Sequence, residues 1–545
     1  MNGGSRSIHA GRFAAVLLMS GWLAAAALAS GAGQSTATRE FKKTLTMGEN
    51  QTLSLEHRFG DVRIHAENTR EVRIAATIRV QSHSQAEADI FADQVRIEVS
   101  EDSSGIKVRT VYPIDASGGF KFFSGGNPSF SADYDITVPV DVKLWVKNNF
   151  GNVEIRGVHG WADVENGHGR LAFQDGGSAK LTNSFGAVEL TGADGGVAIV
   201  NTNGSVTATT VKGTLDVKDR FASITVSNVQ GAVTISGGNG AVELTDAGGA
   251  KISNSFGSVN TRNIHGDLVV NDNNGAIEVN TVSGGAQLNT TFGSINFTNV
   301  SGTVKCTSSN GRVHGAQAGG EIYVKTTFGE VSLEQIDGSV EVEDSNGSIL
   351  VRDIKGKATL TTSFGPIEAS GLPKGVRATT GNGRISLSDV GADAYAKTSF
   401  GAVSVQRVNG NLTMENSNGP VSANGVKGDA SAKTSFGAVT LDDITGSITV
   451  DNQNGVVTVG AARTSPSCKN ISLKTSFSPM QIRLPEDAGY QLTARTSFGR
   501  ITSELPVTST GVLSGDTLMG KIGNGGCSLA LTNSNGNIEI LKLNK

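Results

Sequence analysis

The residues in this sequence that could do chemistry are few and scattered. Glu341, Glu343 and Asp344 cluster in "EVEDSNG", and Asp442 and Asp443 are adjacent in "LDDITG". Cleaving a glycosidic bond takes two carboxylates facing one sugar at a set separation. Strand alternation instead places Glu341 and Glu343 side by side on one outward face, which reads as a solvated strand surface. Of the eight histidines, His9 lies in an N-terminal apolar segment. His57, His65, His83, His159, His168, His265 and His314 are dispersed without metal-ligand spacing and read as polar surface residues. "GGNGAVELTDAGG" (237–249) superficially resembles a calcium-binding glycine turn, but its Asp is misplaced and the nonapeptide period is missing. Glycine loops that cradle phosphate need a following helix, and here strands follow. No catalytic, cofactor-binding or metal-ligating residue is assigned, and no cofactor is expected.

The three cysteines divide in two. Cys306 stands where related positions carry Val270, Val342 and Met414, so it reads as a small buried hydrophobe. Cys468 and Cys527 lie in irregular C-terminal segments and could pair in an oxidising compartment, a question the spacing leaves open.

Composition sets the elements that would carry any site. Glycine accounts for 71 of 545 residues and aromatics for 5%. Val, Ile, Thr, Ser and Asn recur throughout, a strand-and-turn composition. At the N-terminus Arg6 and Arg12 precede the apolar run "FAAVLLMSGWLAAAALA", which ends in Ala27-Leu28-Ala29. That layout predicts a secretory signal peptide over 1–29, with cleavage after Ala29; an uncleaved membrane anchor is the competing reading. Loss of 1–29 takes the formal charge from −4 to −6, since the segment holds two Arg and no acid. A mildly acidic chain without a Lys/Arg block argues against nucleic acid as a partner.

The dominant signal is repetition. Phe-Gly steps recur at Phe150, Phe185, Phe256, Phe292, Phe328, Phe364, Phe400 and Phe436, with Phe221 followed by Ala222 instead. Midway between them run Asn-Gly steps at Asn203, Asn239, Asn274, Asn310, Asn346, Asn382, Asn418 and Asn454. The period is therefore 18 residues, with one 17-residue interval from Asn239 to Phe256. In "FGAVSVQRVNGNLTMENS" (400–417) two short alternating strands are separated by glycine turns. Such units cannot bury their own apolar faces and must stack. The fold expected is all-β: a parallel β-solenoid of 18-residue rungs, about twenty of which make a rod roughly 90–100 Å long. A 36-residue coil satisfies the same periodicity.

Two expectations concern the corners. The first inward slot after the second glycine is Ala in Phe rungs (Ala179, Ala250, Ala286, Ala358, Ala394, Ala430). It is larger in Asn rungs (Val197, Val233, Leu268, Val304, Val340, Leu412, Ile448). Constant core density then predicts that Phe turns inward to offset Ala, so that Phe400→Ala would cost roughly 3–5 kcal/mol. Because Phe and Asn share one slot, positive φ is expected on the following Gly alone, in a type II-like bend.

The organisation expected is a signal peptide (1–29), a linker (30–39), an irregular β-rich capping domain (40–148), regular solenoid repeats (149–460) and irregular rungs with a cap (461–545). One helix is expected from Gln85 to Val95. Beyond Asn454 the register lengthens to Phe477 and Phe498, and "ELPVTSTGVLSGDTLMGKIGNGG" reads as an excursion shielding the last edge.

"HRFGDVRI" with a following "VP" strand, "NNFGNVEI", the SFG/SNG rungs and the closing "SFGRITSELPV…NSNGNIEIL" resemble a bacterial adhesin-like β-strand-repeat family, a domain of unknown function, across most of residues 40–545. The resemblance implies a solenoid fold and an adhesin-like role, and carries no catalytic residue. The function expected is an exported, non-enzymatic scaffold that binds a cell-surface, glycan or protein partner as a monomer. It would reside in the periplasm, or be secreted with non-covalent surface attachment. A carbohydrate-active β-helix enzyme (polysaccharide lyase or glycoside hydrolase) is the alternative; it would require a break in repeat regularity carrying convergent acids or cations.

Overall fold

The structure, a computed structural model, describes residues 35–113, 128–461, 469–509 and 514–543. The signal peptide, the first half of the linker (30–34) and Cys468 lie outside the described residues.

Each coil contributes two strands, for example Leu412–Asn416 and Val421–Val426. In the regular repeats such strands pair in parallel with their equivalents 18 residues before and after: Ala394↔Leu412, Leu412↔Ala430 and Val403↔Val421. The coil is thus 18 residues, not 36. Two parallel sheets face each other, and inward side chains from both fill one continuous core running the length of the stack. The regular strands lie at inter-strand spacing, about 4.8 Å per coil. In the 400–417 unit Val403, Val405, Val408, Leu412 and Met414 all point inward, as the alternation predicts.

Both corners are glycine ladders. A Cβ on Gly401 would lie 1.9 Å from the Gly383 carbonyl oxygen, and one on Gly428 would lie 2.4 Å from that of Gly410. Stacked backbone, rather than the bend itself, excludes a side chain here. This corrects the expected turn. In the Phe/Asn-Gly series only Gly60, Gly151, Gly169 and Gly186 have φ near +130°, and the later glycines lie outside the left-handed region. Ala222 in the same slot agrees with that. The left-handed residue falls instead seven positions after each Phe or Asn: Asp389, Arg407, Gly425 and Asp443 have φ of 57°, 55°, 74° and 51°. That kink lets Gln406 and Arg407 both face solvent before Val408 turns in.

The ends depart from chain order. Leu53 pairs with Leu144 on one side and Ile106 on the other, while Val62 lies between Val153 and Tyr134. The coil formed by 52–67 is therefore sandwiched, and the later strands Gly105–Val111 and Ser129–Pro139 lie on its outer side. Ser35–Thr46 and Glu71–Ser82 pair antiparallel with each other, and Glu71–Ser82 also pairs with Ser129–Pro139. The helix, Gln85–Gln94, packs on this sheet through Ala88, Phe91 and Ala92. Its start follows from Ser84, which accepts a bond from the Glu87 amide.

The C-terminus interleaves in the same way. Ile448 pairs with Ile471, Ile471 with Leu529, and Leu529 with Leu492. The last coil of the chain (527–542) is inserted between 471–484 and 490–503, and Thr517–Ile522 covers Tyr490–Arg495 antiparallel. The closing rung of the chain is thus internal to the stack, while the excursion before it supplies Thr517–Ile522 to the edge of Tyr490–Arg495. Cys527 is disulfide-bonded, and Cys306 is free and buried between Leu288 and Val324.

Candidate functional site

The corner phenylalanines point outward. Phe256, Phe292, Phe328, Phe364, Phe400 and Phe436 are each 60–64% exposed, so the inward core plug expected for Phe400 is overturned. The volume left by Ala is supplied along the stack. Leu412 lies between Ala394 and Ala430, and Met414 between Ala396 and Ala432. Phe297 is the informative contrast. It is a mid-strand residue, fully buried, and its ring fills the space beside Gly315, where a Cβ would sit 2.1 Å from it.

The result is a ladder along one edge of the rod, with Phe and Asn alternating rung by rung. The Asn amides are held back: Asn274 donates to Ser255 O (3.1 Å), Asn346 to Thr327 O (3.0 Å) and Asn418 to Ser399 O (3.2 Å). Successive Phe rings are therefore two rungs apart, roughly 9–10 Å. The inserted C-terminal coil preserves the alternation in space. Asn535 bonds through its amide to Ser476 O, and Phe498 bonds to Ser534 O, so Asn535 stands between Phe477 and Phe498. At the N-terminal end the ladder is filled. His168 stacks between Phe150 and Phe185 at 4.6 and 4.7 Å, and Phe59 stacks on Phe150 at 5.3 Å.

Beneath the corner runs a buried polar ladder. Asn416 Nδ2 donates to Gly401 O (2.7 Å) and Gly419 O (2.8 Å), tying two rungs together; Thr398 Oγ1 does the same toward Gly383 O (3.1 Å). Asp219, Asp272 and Asp344 occupy this slot in three coils, and burial raises the pKa of each above the usual carboxylate range. Asp344 is thus separated from its sequence neighbours: it points inward, while Glu341 and Glu343 face solvent and Glu343 meets Lys325 at 3.4 Å. Asp442 and Asp443 are also exposed. The structure brings none of these acids together around a cleft.

His57 departs from the surface reading. It is buried in the N-terminal turn, Nδ1 lies 3.0 Å from Thr110 Oγ1, and that hydroxyl meets Tyr134 OH at 2.6 Å. Desolvation pushes its pKa down to about 4, so the imidazole is neutral near pH 7. It sits where an irregular outer turn closes over a strand, a placement that no histidine spacing announces.

One surface concavity of about 480 Å³ was not foreseen. Glu243, Arg262 and Glu278 line it from three successive rungs, and Asn296 Nδ2 donates to Glu278 Oε1. It adjoins the 17-residue interval from Asn239 to Phe256, where the offset to the preceding coil drops from 18 residues (Val229↔Ala247) to 17 (Ala232↔Gly249). That irregular interval was the available signal in the sequence. Among the described residues no group of three or more His, Cys, Asp or Glu is placed to hold a metal ion. No helix among them is long and apolar enough to cross a membrane.

No family model and no curated protein matches the chain. A solved structure from Clostridium sporogenes, described as a "putative cell adhesion protein", is similar over 39% of this chain and 100% of its own. The identity is 11% and the TM-score 0.20, a likeness too weak to argue fold or function from.

Proposed function

We propose that the protein is an exported, non-enzymatic scaffold of adhesin-like character, a rod that presents the Phe/Asn edge as its binding surface in the cell envelope. The observation that carries this reading is the exposed ladder itself. A row of large apolar side chains held in water is costly for solubility and does nothing for the core beneath it. Alternation of Phe and Asn from Phe185 onward, kept at the C-terminal end where chain order and rung order part, fits a recognition edge. The signal-like N-terminus and the family resemblance support export and an adhesin-like role. The test is a glycan and surface-protein binding screen with the purified chain and a variant carrying Phe328→Ser, Phe364→Ser and Phe400→Ser. Binding by the parent that the variant loses is expected. Binding that survives all three substitutions would remove the ladder from the function.

The concavity favours a second reading, a glycan-cleaving site. Glu243 and Glu278 are two rungs apart, roughly 9–10 Å, near the upper end of the separation used by inverting glycosidases. Depolymerisation of a polysaccharide, abolished by Glu278→Gln, would establish that reading and displace the first.

A further inference from the structure

We propose that the phenylalanine edge pairs with the same edge of a second copy of this chain, each copy's rings entering the gaps between the other's. The inference rests on the ladder being a binding edge, and it names the partner, in place of the monomer that the sequence suggests.

The gap has the dimensions of a ring. Two rungs separate successive Phe residues, and an aromatic group midway would stack on both at roughly 4.8 Å. The protein already contains that arrangement. His168, one rung from Phe150 and one from Phe185, lies 4.6 and 4.7 Å from them with interplanar angles of 15° and 10°. Phe150, stacked on by both Phe59 and His168, is 41% exposed and Phe185, stacked on by His168, is 49% exposed, whereas the corner rings from Phe256 to Phe436 are 60–64% exposed; Phe221, flanked by Asn rungs and approached by Arg220, is 50% exposed. In these later coils Asn takes the place of the aromatic group, and its amide is commonly bonded back to the backbone of the preceding corner.

A partner must match the repeat over many rungs. A second copy does so by construction, since its Phe residues recur at the same interval. Symmetry then selects the arrangement. A twofold axis along the rod would set Phe against Phe and Asn against Asn at every height. A twofold axis perpendicular to the rod, passing midway between a Phe rung and an Asn rung, sets each Phe against an Asn. That antiparallel pairing is isologous and closes at two copies.

The corner itself carries little of the charge that guards natural sheet edges. The residue before each corner Phe from Phe256 to Phe498 is Ser or Thr and the residue after it is Gly, except Ser478 after Phe477; Arg220 before Phe221 is charged, and Arg312, Glu330, Arg384 and Arg500 stand two positions past their corner Asn or Phe. The ten exposed Phe from Phe185 to Phe498 would each bury roughly 100 Å². That is on the order of 1,000 Å² per copy, within the range of specific interfaces.

The experiment is sedimentation equilibrium with small-angle scattering on the purified chain and on the variant carrying Phe328→Ser, Phe364→Ser and Phe400→Ser. The expected result is a dimer with doubled mass and thickened cross-section but nearly unchanged length. The variant should show a two-fold lower mass at micromolar concentration, with unaltered circular dichroism because these rings lie outside the core. A parent that stays monomeric, a variant that still dimerises, or a dimer of doubled length would overturn the proposal. If the parent is monomeric yet binds a glycan or protein that the variant does not, the self-pairing fails while the binding-edge reading stands.

Discussion

A phenylalanine in a repeat is an ambiguous symbol, and two of them here show why. Phe297 is a mid-strand residue whose neighbour along the stack is Gly315, so its ring occupies space that no other side chain claims. Phe400 is a corner residue whose following glycine must press against the glycine below, and the ring has nowhere to go but out. Phe297→Ala should therefore cost about 3–5 kcal/mol, and Phe400→Ala within about 0.5 kcal/mol of nothing. Urea unfolding of the two variants measures the difference; equal losses would mean that corner rings are buried after all. The mistaken inward placement came from a sound premise, constant core density. Density was met by Leu, Met and Phe in neighbouring coils, which one coil read alone does not reveal.

At the scale of the element, each corner is a small machine of three parts: a glycine with no room for Cβ, an exposed Phe or Asn, and a buried polar side chain two residues earlier. The third part has a consequence for stability. Asn416 donates to two glycine carbonyls, whereas an ionised Asp344 has no proton to give: Oδ1 accepts from the Asn346 N–H, and the buried Oδ2 is left without a partner. Its raised pKa means the folded protein holds the Asp344 proton more tightly than the unfolded chain. The carboxylate therefore weakens the fold at neutral pH, and the penalty fades as pH falls through the raised folded pKa toward the ordinary carboxylate range. Replacing Asp219, Asp272 and Asp344 together by Asn should stabilise the protein at pH 7 by about 1 kcal/mol per site. The gain should shrink on acidification. Thermal unfolding of parent and variant from pH 7 to pH 4 tests both the sign and the trend. The left-handed residue, by contrast, was readable in principle: its slot is rich in Asp, Asn and Gly, residues that tolerate that conformation. No single residue type marks it, because Thr281, Gln317, Gln335 and Arg407 share the slot with Asp, Asn and Gly.

At the scale of the molecule, stacked coils make an almost one-dimensional array in which each rung touches chiefly its neighbours. Such an array needs closed ends, and both ends are closed by weaving an outermost turn around an inserted one. Deleting Cys527–Lys545 would remove the inserted rung and leave Ile471–Lys474 and Tyr490–Arg495 with unpaired edges. Hydrogen exchange should then become fast over 470–505 while coils from Ala394 to Asn452 stay protected. Cys527→Ser in the full chain, which keeps the rung, should leave both regions protected and so separates the role of the rung from that of the disulfide. Loss of protection throughout would show that the rod folds as one indivisible unit.

The sequence by itself determined the class of fold, the 18-residue period, the inward alternation of Val, Ile and Leu, the outward Glu341 and Glu343, and the helix after Ser84. These follow from local chemistry: which residues form strands, which turn, and which must leave water. Only the tertiary structure decided what depends on the next coil. That includes the demand for corner glycine, the outward turn of Phe, the burial of His57 and Asp344, and the order of the terminal rungs. Each is set by contact between residues at least 14 positions apart, and such contact leaves its mark on spacing and composition only after the stacking is known.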